Sequence, residues 1–73
     1  MDTVAKRILM HIYQQSAIGD VPIRYSANLT EKVMEQAAIK QLVENGYIIN
    51  VTSDLGGAIC RLTSSGESFA KSL

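Results

Sequence analysis

Near the start of the chain, Val4, Ile8, Leu9, Ile12 and Tyr13 recur at helical spacing on one face, with Lys6, Arg7, Gln14 and Gln15 largely outside it. The pattern predicts a helix over residues 3–15, opened by Asp2 or Thr3 as cap, with Asp2 also suiting the positive end of the helix dipole. Gly19-Asp20 breaks it, and Val21-Pro22-Ile23 reads as a short extended piece, because proline holds itself and the preceding residue away from helix. A longer helical pattern opens near Asn28, Leu29 or Thr30, where Asn28 and Glu31 have the spacing of a capping pair. It lays Val33, Met34, Ala37, Ala38 and Leu42, with Ile39 beside them, along a broad apolar stripe expected to face the core.

Gly46 follows this pattern and directly precedes Tyr47-Ile48-Ile49, the position of a left-handed residue that closes a helix. Two strand-like runs come next, rich in β-branched and aromatic residues, around Asp54-Leu55-Gly56-Gly57, a turn whose residues tolerate positive φ. A two-residue period would put Ile49 and Val51 on one face and Ile48, Asn50 and Thr52 on the other. Thr63, or Ser64 with Glu67, can cap a last short helix carrying Phe69, Ala70 and Leu73. The predicted order is helix, short strand, helix, strand, turn, strand, helix, an α+β arrangement in one domain spanning residues 1–73.

A chain of 73 residues buries a modest core and would gain from dimerisation. An uncovered apolar stripe of Ile8, Ile12, Phe69 and Leu73 would supply a homodimer contact. One cysteine, Cys60, excludes an intramolecular disulfide framework, and with one histidine, His11, no zinc-ligand spacing exists. Seven basic residues balance seven acidic ones, so net charge supplies no long-range attraction to nucleic acid. The acidic opening Met1-Asp2, and the interruption of the first helix by Lys6, Arg7 and His11, do not fit a secretory leader. No apolar run approaches the roughly 18 residues of a membrane span. The expected setting is a reducing cytoplasm without membrane contact. No phosphate loop, nucleophile elbow, metal cluster or paired carboxylates are visible, so neither enzymatic activity nor a cofactor is expected.

The joints Leu42-Val43-Glu44-Asn45-Gly46-Tyr47-Ile48 and Leu62-Thr63-Ser64-Ser65-Gly66 resemble those of winged-helix domains in MarR-like and PadR-like bacterial regulators. The chain is also similar to short stand-alone winged-helix proteins of bacteria and their phages. The resemblance implies a recognition helix, a two-stranded wing and double-stranded DNA as partner. Carried over, it implies DNA contacts by Lys32, Gln36, Lys40 and Gln41 on the recognition helix, with Arg61 on the wing's return strand and Arg24 near its base. The lysines would meet phosphates and a glutamine could pair with adenine. A full helix-turn-helix needs one more helix before the wing, whereas Gly19 and Pro22 spoil the segment available for it. The second helix is therefore abridged to a stub around residues 29–33, or merged with the third.

Simpler readings stand beside these. Glu31, Lys32, Glu35 and Lys40 fit the solvated face of a helix, and Met10 and Met34 fit core filling. His11 fits a surface or structural role, Cys60 a small half-buried hydrophobe, and Tyr13, Tyr25 and Tyr47 the rim of the core. Leu55, at the turn, is the one apolar residue without a core role and could anchor a partner. Two function classes follow: a DNA-binding transcriptional regulator, or a winged-helix protein-interaction module that has lost the basic surface. Convergence of Arg24, Lys32, Lys40 and Arg61 on one face favours the first, and their dispersal the second.

Overall fold

A computed structural model describes residues 1–73, and it opens with a helix capped as the sequence requires. Asp2 supplies the cap rather than Thr3, its Oδ1 accepting the Ala5 N–H at 2.8 Å. Helix α1 (Thr3–Gln15) passes through a short 3-10 turn and Gly19, at φ +88°, into β1 (Asp20–Arg24). Then come α2 (Leu29–Glu44), the hairpin β2 (Ile48–Ser53) and β3 (Gly57–Leu62), and α3 (Ser64–Lys71). This is the α+β order of a small winged-helix-like domain, with a single helix between β1 and the hairpin.

The three strands form an antiparallel sheet in the order β1-β3-β2, so the segment before α2 completes the sheet begun by the hairpin. Val21 lies opposite Cys60 and Ile23 opposite Ala58, and these four side chains turn inward and are buried. Asp20, Pro22 and Arg24 alternate with them on the outer face. Helix α1 covers the inner face with Ala5, Ile8, Leu9 and Ile12. Helix α2 adds Ala38, Ile39 and Leu42, and α3 adds Ala70. Ile8 and Ile12 are thus consumed inside one chain, and Phe69 stacks on Tyr47 with ring centroids 4.6 Å apart. The stripe expected to pair two copies is accordingly not available, Leu73 alone remaining half exposed.

Three local expectations are corrected. The strand period is broken by a bulge between Asn50 and Thr52, where Val51 has no partner on β3. Ile48 and Asn50 oppose Leu62 and Cys60 on the inner side, but Thr52 opposes Ile59 and is carried to the outer side. The turn uses no positive φ, since only Gly19 and Gly46 have it. Asp54 shapes the turn instead, its Oδ1 accepting the N–H groups of Gly56 at 2.7 Å and Gly57 at 3.0 Å. The capping pair at α2 is one-sided: Asn28 accepts the Glu31 N–H at 3.0 Å, while the Glu31 carboxylate turns back to accept the Ser26 hydroxyl at 2.7 Å.

The exit from α2 locks the two ends of the domain together. Gly46, at φ +77°, donates to the Val43 carbonyl, and Tyr47 N–H donates to Leu42, both at 3.0 Å. Thr63 Oγ1 donates to the Gly46 carbonyl at 2.6 Å and accepts the Gly66 N–H at 3.0 Å, so Thr63 and not Ser64 caps α3. Gly66 lies so close to the Tyr47 carbonyl that no Cβ fits between them.

Candidate functional site

Helix α2 is the element from which a functional surface has to be built. It runs unbroken for 16 residues, so of the two expectations for the second helix the merged one holds. Its buried residues, Ala38, Ile39 and Leu42, all lie in the C-terminal half. Val33 stands about two and a half turns before Leu42, hence on the opposite side of the helix. Met34, one turn before Ala38, overhangs the end of the core. Leu29, Val33 and Met34 are 75%, 58% and 50% exposed, and Ala37 is exposed as well. The stripe expected in the core is therefore split. Apolar residues are distributed around the whole helix, as in a helix packed on two sides.

The polar residue that fastens the first half of α2 is Glu35. Its carboxylate, 12% exposed, accepts the Ser26 N–H at 2.8 Å and stands 3.7 Å from the Arg7 guanidinium of α1. Glu35 is thus a clasp between α1, the connection 25–28 and α2, and not part of an outward face.

The six residues expected to contact DNA are separated by the fold. Gln36 and Lys40 are exposed on the flank of α2, with Lys32 partly buried on the same side. Gln41 is half-buried, its Oε1 directed inward without a hydrogen-bond partner. Arg24 and Arg61 lie on the outer face of the sheet, opposite Gly57 and Asp20 respectively. Arg61 Nε is 2.7 Å from Asp20 Oδ1. That hydrogen bond holds the Asp20 carboxyl below, and the Arg61 guanidinium above, its ordinary pKa. Three cations, Arg7, Arg61 and Lys71, are paired with acids, leaving Lys6 on α1, Arg24 on β1, and Lys32 and Lys40 on α2 unpaired.

What the structure does bring together is a shallow groove of about 270 Å³ between α2 and β2. Gln36, Ile39, Lys40, Val43 and Glu44 form one wall, with Glu44 one turn beyond Lys40, Asn50 and Ser53 form the other, and Tyr25 completes the lining. Burial pushes the Tyr25 phenol above its usual range, and the nearby Cys60, Asp54 and Glu35 add to the shift. Sequence reasoning missed Tyr25, Asn50 and Ser53 as neighbours of α2. The available signal was Asn50 itself, a polar residue on the same strand face as the buried Ile48. A larger open groove, about 750 Å³, lies on the other flank, where Arg7 and His11 of α1 approach Arg24, Pro22 and Gly57. Leu55, at the tip of the hairpin, is 85% exposed. No three His, Cys, Asp or Glu side chains cluster as a metal site, and no helix is long and apolar enough to cross a membrane.

Comparison with protein-family models, with curated proteins and with solved structures finds no match to this chain.

Proposed function

We propose that this chain is a protein-interaction module built on a winged-helix frame, with the outward face of α2 as its principal contact. One observation carries the reading: the first half of α2 leaves Leu29 and Val33, one turn apart, in solvent on the face that a DNA reader would fill with polar groups, with Met34 half exposed at its margin. The dispersal of the cations supports it. Arg24 and Arg61 share a sheet face, Lys32 and Lys40 a helix flank, and Arg61 is neutralised by Asp20. With zero formal net charge, little electrostatic attraction to a phosphate backbone remains. The partner is a protein, the setting is the cytoplasm, where the buried Cys60 thiol stays reduced, and no catalytic step is involved.

A photo-crosslinking residue at position 33, introduced in the native cell, is expected to give a discrete protein adduct that Leu29→Glu abolishes. The same residue at position 67 on α3 is expected to give none. Absence of an adduct at 33 would count against the module.

A second reading, DNA binding by a winged-helix regulator, is supported by the α2–β2 groove, where Gln36 and Lys40 stand beside Asn50 and Ser53. Lys32 and Lys40 would meet phosphates, and Gln36 an adenine edge. Anisotropy titration with mixed-sequence duplex at low salt separates the two. The interaction module gives no complex at tens of micromolar, whereas a salt-dependent complex weakened by Lys40→Ala would establish the second reading.

A further inference from the structure

The two halves of α2 are attached to the domain in different ways. Ala38, Ile39 and Leu42, all in the second half, are buried in the core, whereas residues 29–37 contribute no buried side chain and only Lys32 and Glu35 among them are partly covered. The first half also stands between two open spaces. Glu35 lines the groove of about 750 Å³ on the side of α1, and its neighbour Gln36 lines the groove of about 270 Å³ on the side of β2.

What fastens this half is polar. Glu35 Oε1 accepts the Ser26 N–H at 2.8 Å, and Glu35 Oε2 stands 3.7 Å from Arg7. Ser26 Oγ donates to Glu31 at 2.7 Å and accepts the Asn28 N–H at 3.1 Å. The two acids of this half and the connection before it thus form one network, tied to α1 through Arg7 alone. A segment with few buried apolar contacts opens locally at a lower free energy than the core it adjoins. A helical piece this short does not persist by itself in water.

We infer that Glu35 is a latch: it holds residues 29–37 as helix against α1, and its release lets them open as one unit while residues 38–44 stay folded. The device regulates the contact face, because Leu29 and Val33 stand one turn apart only while the segment is helical. A partner that seats both side chains binds the latched form and not the open one. This role rests on the reading of the domain as an interaction module; the opening itself does not.

Amide hydrogen exchange on the intact protein, read residue by residue by NMR, tests the latch. Amides 33–37 are bonded to carbonyls of the first half, and are expected to exchange at a common rate at least about tenfold faster than those of Leu9, Ile12 and Leu42. Two variants separate local from global opening. The Thr63 cap on α3 persists when the latch opens, so Thr63→Ala should speed the Leu9, Ile12 and Leu42 amides by about fivefold or more without speeding 33–37. Glu35 is released in both events, so Glu35→Ala should speed both sets alike, by about tenfold or more, although alanine is the better helix former. Arg7→Gln, which removes the exposed ion pair alone, should do so by less than about fivefold.

Amides 33–37 that accelerate with the core set in Thr63→Ala would show that no local opening exists and overturn the inference. Rates graded along the helix from its start, as in fraying, would overturn it too, as would an unchanged rate in Glu35→Ala. The adduct at position 33 is read separately. Exchange as expected without the adduct leaves the latch standing and removes the contact face; the adduct without local opening does the reverse.

Discussion

Replacing Gly66 by alanine sets two effects of opposite sign against each other. Gly66 lies inside α3, where alanine is the better helix former by about 1 kcal/mol. On propensity alone, Gly66→Ala stabilises the protein. The packing argues the reverse. A Cβ at this position would overlap the Tyr47 carbonyl oxygen, and it would lie 2.8 Å from the Tyr47 carbonyl carbon and 2.9 Å from Leu62 Cδ1. The Leu62 methyl can move, but the Tyr47 carbonyl is backbone and already accepts the Thr63 N–H at 3.1 Å. Relief requires α3 to back away from the α2 exit, loosening the Tyr47–Phe69 stack and the Thr63 cap together. Overpacking of this kind costs ~1–3 kcal/mol, and a weakened backbone hydrogen bond about 1 kcal/mol more. After the propensity gain is subtracted, the net loss is about 2 kcal/mol. That is a large share of the stability of a 73-residue domain, on the order of 4–11 kcal/mol, and corresponds to a fall in Tm of roughly 8–16 °C. Thermal and urea unfolding followed by far-UV circular dichroism measure both quantities. Gly46→Ala is the control. No heavy atom lies within 4 Å of its added Cβ, so its cost, about 1 kcal/mol, comes from the φ of +77° alone. If Gly66→Ala melts at or above the parent, the described seating of α3 on the helix exit is wrong.

Other expectations follow from the same description. Thr63→Ala removes the Gly66 cap and the bond to the Gly46 carbonyl together, and should lower stability by ~1–2 kcal/mol in urea unfolding. Val33→Gln should change stability by less than about 0.5 kcal/mol, as at an exposed site; a loss of ~2 kcal/mol or more would put Val33 back in the core. Burial pushes the Cys60 thiol up to about 11. The native state therefore holds the thiol proton where the unfolded chain has lost it, and stability should decline as pH rises from about 8.5 toward 11. Cys60→Ala should flatten that alkaline decline, and native Cys60 should react with a disulfide reagent only as fast as the chain opens.

The fold was legible where a local signal and the tertiary outcome agree. Asp2, Asn28 and Thr63 cap helices and Gly46 ends one, because the backbone groups they satisfy belong to their own neighbourhood. Legibility failed where the deciding neighbour is remote. The bulge at Val51 depends on how β3 is matched to β2, and nothing within Asn50-Val51-Thr52 announces it. The apolar stripe of α2 was misassigned because hydrophobic residues surround the helix, so their spacing identifies a helix without identifying its buried side. Glu35 read as a surface charge, and only the Ser26 N–H and Arg7 converging on it reveal the clasp. Among the candidate contacts, Gln36 and Lys40 were legible as one flank of a helix. The separation of Arg24 and Arg61 from them required the sheet order, which periodicity does not carry.

That order also bears on how the chain comes into being. The first strand's only neighbour is the third, and Asp20 and Arg61, which meet across that seam, are 41 residues apart in sequence. As the polypeptide emerges from a ribosome, everything up to the wing must wait, its future inner surface unshielded, until the return strand appears and closes the sheet from the middle outward. There is no self-sufficient half to fall back on, and a cut anywhere within α2 should release two pieces that each fail to fold alone.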